Sequence, residues 1–117
     1  MDLTEKVSLI SKDIKNKAEE IVGNNLEQII LYGSVARGEQ DSESDLDIML
    51  LVNGDDESIK KWDDRFSLLM FELSLKYDML VSIMLLNIRQ FEKFLEVLPF
   101  YTNVNREGIR IYERRVA

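Results

Sequence analysis

The sequence contains no cysteine and no histidine, and these two absences exclude most familiar kinds of functional site. Without them there is no Ser-His-Asp or Cys-His nucleophilic centre, no ordinary zinc site and no usual haem ligand. General acid–base chemistry must therefore fall to aspartate, glutamate, lysine or tyrosine. The lack of cysteine also excludes a disulfide framework, which is consistent with the reducing cytoplasm that we expect for this protein.

Long apolar runs are missing too. No stretch reaches the ~18 residues that a membrane span needs, and the N-terminus lacks a signal-peptide pattern, so we expect no membrane association. The net charge of −7 opposes contact with a phosphate backbone, so direct binding of nucleic acid is not expected. A chain of 117 residues is enough for one modest hydrophobic core, and we predict a single domain over residues 1–117.

Hydrophobic periodicity predicts that helices and strands alternate along the chain. Apolar residues at steps of three and four indicate an amphipathic helix from Thr4 to Val22. A second long helix follows Asn53-Gly54 and ends near Lys76, and a third is opened by a capping pair of Asn87 and Gln90. Strands are predicted over 28–32, 45–52 and 77–86, with a short terminal strand or extended tail after Gly108. The fold class is therefore α/β (α+β), with a small mixed sheet of three to four strands flanked by helices.

The most informative segment runs from Leu31 to Val52. Gly33-Ser34 follows an apolar strand and opens a short helix, where free backbone N–H groups and a hydroxyl suit a phosphate. Ten residues separate Ser34 from Asp45, and Asp45-x-Asp47 begins the next apolar strand. Side chains alternate along a strand, so both carboxylates face the same way and repel each other unless a divalent cation such as magnesium lies between them. The alternative is a solvated turn with an ordinary helix cap.

The order of the predicted elements brings a third carboxylate into consideration. A crossover helix joins the second and third strands, which favours parallel neighbours that begin at the same edge of the sheet. Asp78, at the start of the third predicted strand, would then lie near Asp45 and Asp47. The short connection after Gly33 favours an antiparallel first pair, whose end reaches the same edge. The alternative for Asp78 is a helix-to-strand turn in which nearby backbone N–H groups hold its side chain.

Gly-Ser-x-Ala-Arg-Gly at 33–38, a polar loop and Ser-Asp-x-Asp at 44–47 resemble the signature of the DNA polymerase beta-type nucleotidyltransferase superfamily. Within it the chain is most similar to the minimal nucleotidyltransferases, the antitoxin-type MNT proteins, which are often paired with HEPN-domain partners. The resemblance implies a nucleotidyltransferase fold and a catalytic triad of Asp45, Asp47 and Asp78. It also implies that these three residues hold two Mg²⁺ ions, with Mn²⁺ as a possible substitute, and that ATP is the substrate.

Basic residues leave two questions open. Arg37 lies one turn into the short helix, from where it could bind the triphosphate with Gly33 and Ser34, or it could pair with Glu39 or Asp41 in the adjoining loop. A cluster of arginines near the end of an acidic chain could contact a partner or could form a solvated face. This cluster consists of Arg106, Arg110, Arg114 and Arg115.

The functional hypothesis is a metal-dependent nucleotidyltransferase that moves AMP from ATP to a hydroxyl acceptor. Because we expect a chain of this length to hold no additional domain for an acceptor, we expect another polypeptide to present it. The resemblance implies a tyrosine of a HEPN-type toxin, so that the protein acts as an antitoxin within a hetero-oligomer. One alternative is a non-catalytic antitoxin or scaffold that binds its partner stoichiometrically. Another is a nucleotidyltransferase that acts on a free small molecule.

Overall fold

The structure is a computed structural model that describes residues 1–39 and 45–114. Helices and strands alternate along these residues much as the sequence predicts. No helix in the two described ranges combines the length and apolar character that a membrane span requires. The elements are α1 Leu3–Val22, β1 Leu26–Tyr32, α2 Gly33–Ala36, β2 Leu46–Val52, α3 Asp56–Tyr77, β3 Val81–Asn87, α4 Ile88–Phe94, α5 Pro99–Glu107 and β4 Ile109–Glu113.

Local side-chain chemistry sets the ends of the two long helices. Asp2 caps α1 by accepting a hydrogen bond from the N–H of Glu5 at 2.8 Å, and Asp55 caps α3 in the same way from Ser58 at 2.8 Å. Each cap satisfies a backbone donor that has no partner within the helix. Gly23 ends α1 with a φ of 57°, a left-handed conformation that costs glycine little.

The four strands form one mixed sheet in the order β3-β2-β1-β4. β1 is antiparallel to β2 and to β4, whereas β2 and β3 are parallel. Both strand orientations predicted from the sequence are therefore confirmed. This topology brings the end of β1, the start of β2 and the start of β3 to one edge of the sheet, which is the arrangement that the predicted site requires.

Helices cover both faces of the sheet, because β2 is apolar on both sides. The α1/α3 face holds the larger core, in which residues of both long helices pack against alternate strand residues such as Ile48 and Leu50. The α4/α5 face holds a smaller cluster of five buried residues among those described: Ile30, Met49, Leu51, Phe91 and Val104. Tyr32 and Leu86 are partly buried against this smaller cluster.

The largest difference from the predicted elements is at the start of β3. The strand begins at Val81 rather than at Tyr77, because α3 continues through Tyr77 and the chain must then reverse direction. Asp78 makes this turn as the C-terminal cap of α3, in the left-handed conformation with φ 50° and ψ 52°, and its N–H donates to the carbonyl of Ser74. The Ser74 hydroxyl accepts a hydrogen bond from the N–H of Val81 at 3.0 Å, which fixes the start of the strand.

Candidate active site

Gly33 connects β1 to α2 and approaches the acidic pair closely. Its φ of +79° lies in the left-handed region, and a Cβ at this position would collide with the Oδ2 atom of Asp47. Glycine is therefore required here both for its backbone conformation and for the space next to Asp47. The structure thus places Gly33 and Asp47 in direct proximity, although they are far apart in sequence.

Ser34 is partly buried within α2, next to Gly33. Its carbonyl accepts the N–H of Glu39 at 2.9 Å, so the chain folds back at the end of this short helix. The loop predicted after Glu39, including Asp41, lies outside the described residues.

Asp45 and Asp47 lie at the beginning of β2, where Asp47 is opposite Tyr32 of β1. Asp45 is exposed and immediately precedes the strand, whereas Asp47 is partly buried. Burial raises the pKa of Asp47, the negative charge of Asp45 raises this pKa further, and Arg37 opposes the shift. The pKa of Tyr32 is also raised, first by burial and then by the charge of Asp47. The two carboxylates therefore repel each other through their charges, and that of Asp47 is also partly desolvated, which favours a bound cation.

The positions of these carboxylates fit a magnesium ion that is shared with a nucleotide. Magnesium in such sites is usually held by one or two carboxylates together with phosphate oxygens and water. Asp45 and Asp47 would supply the carboxylates, and Asp47, although partly buried, lies next to the backbone of the phosphate-binding turn at Gly33. Among the residues that the structure describes, no group of three or more acidic side chains is arranged to hold a metal ion.

Asp78 is placed differently from the other predicted site residues. It lines a cavity of about 190 Å³ together with Met1, Leu3, Lys6 and Met79, at the start of α1. Met79 packs against the larger core on the α1/α3 face, whereas Asp47 alternates with core residues of that face. The structure therefore shows a turn residue at Asp78 and does not bring it into a group with the acidic pair. Its role as a third ligand stays a prediction.

Arg37 is held by two carboxylates. Its Nε donates to Oε2 of Glu39 at 3.0 Å, and its Nη1 lies 3.6 Å from Oε2 of Glu107. The pairing with Glu39 is one of the two possibilities raised by the sequence. Glu107 belongs to α5, and no feature of the sequence indicated that this helix reaches the site.

A cavity of about 250 Å³ lies between α2 and α5 beside these residues. Its floor is formed by the end of β1, and an edge-to-face contact of 5.8 Å joins the rings of Tyr32 and Phe100. Sequence reasoning missed the α5 residues, because their amphipathic pattern shows that the helix is buried but not which element covers it. The lining residues are Tyr32, Gly33, Arg37, Phe100, Asn103, Val104 and Glu107.

The C-terminal arginines form local polar contacts. Arg106 donates to Asn103, Arg110 donates to the carbonyl of Asn105 at 2.9 Å, and Arg114 donates to the carbonyl of Asn24. These contacts are typical of a solvated face that stabilises the end of the chain. Arg115 lies outside the described residues.

Known proteins resemble this chain in sequence and in fold. The family described as "Polymerase beta, Nucleotidyltransferase" matches residues 12–116. A protein of Methanocaldococcus jannaschii named "Putative protein adenylyltransferase" is 37% identical over 73 residues, which cover 62% of this chain and 72% of that protein.

Two solved structures share the fold. A structure described as a "putative nucleotidyltransferase" from Sulfolobus solfataricus has a TM-score of 0.57 and 20% identity, and the match covers 95% of this chain and 86% of that one. A chain in the complex of a tri-AMPylated HEPN toxin with an MNT antitoxin, from Shewanella oneidensis, has a TM-score of 0.51 and 16% identity, over 92% of this chain and 72% of that one. The family match extends over most of the sequence and includes the Gly-Ser and Asp-x-Asp segments, so this chain belongs to the polymerase beta nucleotidyltransferase family.

Proposed function

We propose that this protein is a magnesium-dependent adenylyltransferase that transfers AMP from ATP to a tyrosine hydroxyl of a HEPN-type partner. One observation carries the proposal: Gly33, from the phosphate-binding motif, is in direct proximity to Asp47, from the acidic motif. Chemistry on a nucleoside triphosphate requires at least a turn that binds the phosphates and a pair of ligands for a divalent cation.

Each residue of the site has a distinct task in this reaction. Asp45 and Asp47 would hold a magnesium ion, which would neutralise part of the charge of the triphosphate. Ser34 and the amides beside Gly33 bind the phosphates, and Arg37 joins them when it leaves Glu39 or Glu107. Because the charge moves among phosphate oxygens, positioning and electrostatics account for most of the catalysis.

The transfer itself exchanges one phosphorus–oxygen bond for another. The acceptor hydroxyl oxygen bonds to the α-phosphorus of ATP, while the bond from that phosphorus to the oxygen bridging the α- and β-phosphorus atoms breaks. Pyrophosphate leaves, and the hydroxyl proton passes to a carboxylate of the site or to water. The sequence predicts that Asp78 accepts this proton and binds a second ion, and both roles remain predictions.

Two lines of support favour a protein acceptor. The relative from Methanocaldococcus jannaschii is named as a protein adenylyltransferase, and the Shewanella oneidensis complex contains an AMPylated HEPN toxin with an MNT antitoxin. The cavity beside Arg37, at about 250 Å³, is small for both a nucleotide and a separate acceptor molecule. An acceptor presented from outside by another protein needs no further pocket in this chain.

Co-expression with a HEPN-type protein, sought first in a neighbouring gene, tests the proposal by intact-mass spectrometry. We expect the partner to gain one or more AMP units, located on tyrosine by peptide sequencing, and to lose them when Asp47→Asn replaces the wild type. Asp63→Asn is the matched control, because it makes the same chemical change on an exposed part of α3 away from the site. It should leave the modification intact.

The competing function is a stoichiometric antitoxin or scaffold without catalysis. It predicts a partner that is bound and neutralised but carries no AMP, with Asp47→Asn as effective as the wild type. The presence of a close acidic pair speaks against it, because mutual repulsion brings no benefit to a purely structural surface. An AMP group on a small molecule instead of the partner would favour the third possibility.

A further inference from the structure

The strand that neighbours the acidic pair presents a serine to it. In the parallel pair of β2 and β3, Asp47 is opposite Ser82. Adjacent strands lie about 4.8 Å apart, so opposite residues on the same face are close neighbours. Tyr32, Asp47 and Ser82 therefore form one row across three strands.

The side chains in this row share the α4/α5 face of the sheet. Along β2, Met49 and Leu51 belong to the cluster on that face, and Asp47 alternates in step with them. Along β3, Leu86 packs against the same cluster, and Ser82 lies on the same face of the strand as Leu86. Ser82 is partly buried, as is Asp47.

Asp78 cannot take the same position without a rearrangement of the chain. It precedes β3, in the turn that ends α3, and it borders the cavity at the start of α1. The carbonyl of Leu80 accepts the N–H of Leu46 at 2.9 Å, so the segment between Asp78 and β3 is already anchored to β2. Strand register thus makes Ser82 the β3 residue that neighbours Asp47.

We infer that Ser82 occupies, with a neutral hydroxyl, the place on β3 from which a third carboxylate would reach the cation site. The inference rests on the proposed function and concerns how many ions the site holds. Asp45 and Asp47, with the phosphates of ATP, hold one divalent ion firmly. A second ion on the β3 side lacks a negatively charged ligand from that strand and is bound weakly, because hard divalent cations depend on charged oxygen ligands for affinity.

Adding the missing charge gives a direct test. Mn²⁺ is titrated into the protein with a non-hydrolysable ATP analogue, and free Mn²⁺ is measured by electron paramagnetic resonance. We expect one firmly bound ion in the wild type and two in Ser82→Asp, with the second ion bound on the order of tenfold more tightly than in the wild type, or better. Met84→Asp is the matched control, since Met84 lies two residues further along the same face and is 41% exposed. It should bind one ion.

Two further variants separate charge from size and from Asp78. Ser82→Asn has the size of aspartate without its charge and should still bind one ion. Asparagine adopts the left-handed conformation readily, so Asp78→Asn should keep the turn and bind the same number of Mn²⁺ ions as the wild type. Two firmly bound ions in the wild type, reduced to one by Asp78→Asn, would overturn the inference. So would a folded Ser82→Asp that binds only one ion, with folding checked by circular dichroism in the presence of Mn²⁺.

The same titration distinguishes this inference from the proposed function. If Asp47→Asn does not weaken the first ion, the assigned metal site itself is wrong, whatever Ser82 does. If the first ion depends on Asp47 but Ser82→Asp adds none, only the inference about β3 fails. The titrations of the wild type and of Asp78→Asn test the inference even when Ser82→Asp does not fold. Two firmly bound ions in the wild type contradict the inference, and one firmly bound ion in each of these two proteins supports it.

Discussion

The two faces of the sheet differ in what their side chains do. On the α1/α3 face, sixteen buried residues of the described chain form a continuous apolar core between the sheet and two long helices. On the α4/α5 face, the corresponding buried cluster has five residues, and it gives way to Tyr32, Asp47 and Ser82 at the edge where β2 begins. The short helices α4 and α5 cover only part of this face.

This difference shows how a small domain can maintain a polar site. Carboxylates held close together in a partly buried position destabilise the fold, so the stability must come from elsewhere in the molecule. Here most of the apolar burial lies on the opposite side of the same sheet. Alternation of side chains along β2 allows one strand to serve both purposes, with Ile48 and Leu50 in the larger core and Asp47 in the site.

Removal of both site carboxylates should have the largest effect on function and little effect on folding. We expect the double variant Asp45→Asn/Asp47→Asn to lower AMP transfer by about 10³-fold or more, because the metal-binding charge is lost. A radiolabelled-ATP transfer assay measures the activity, and circular dichroism melts measure the stability. Full activity of the folded double variant would show that the site is assigned wrongly.

Truncation of a buried phenylalanine on each face compares the two cores directly. Phe66 is 1% exposed in the larger core, and Phe66→Ala should lower the free energy of unfolding of the protein by about 3–5 kcal/mol. Phe91 is 3% exposed in the smaller cluster, and Phe91→Ala should lower it less, because partly exposed neighbours such as Tyr101 can move into the cavity left by the ring. Urea unfolding of both variants checks this. Equal losses of unfolding free energy in the two variants would contradict the view that the α1/α3 face supplies most of the stability.

A matched pair of glycines separates backbone strain from the site's need for space. Gly33 and Gly38 both have left-handed φ values, +79° and +72°, but a Cβ on Gly38 would meet no atom of the described residues within 4 Å. Each Gly→Ala change should cost about 1–2 kcal/mol of stability. Only Gly33→Ala should also weaken ATP binding, by about tenfold or more, because its methyl group displaces Asp47. Calorimetric titration with ATP analogue and magnesium measures the difference.

The smallest expected effect is a pH-dependent gain in stability in Asp47→Asn. The folded protein raises the pKa of Asp47, so its folded state binds the proton more tightly than the unfolded chain does. This contribution to stability is present below the unfolded pKa of about 3.9 and is lost as pH rises through the folded value. Without divalent ions, Asp47→Asn should therefore melt about 1–3 °C higher than the wild type at pH 7, with a smaller difference near pH 3. A constant difference across this range would indicate another cause.

Local sequence chemistry was sufficient to predict most elements of the fold. The amphipathic pattern of α1, the turn at Asn53-Gly54 before α3 and Asn87 at the start of α4 each act within a few residues, so their consequences can be read from the chain. The antiparallel and parallel pairings also followed, because short and helical connections leave few other topologies. The sequence predicted a short terminal strand or extended tail, and β4 is a strand whose place beside β1 only the structure shows.

Only the tertiary structure decided which side chains meet. The sequence determined the Gly-Ser and Asp-x-Asp segments, and with them the family and the edge of the sheet where the candidate site lies. The register of a strand pair depends on packing along the whole of both strands. Because Asp78 lies in the turn that ends α3, β3 begins later in the sequence, and Ser82, not Asp78, is opposite Asp47. The contact of Glu107 with Arg37 likewise depends on where α5 packs, because an amphipathic helix specifies the face that it buries and not its neighbour.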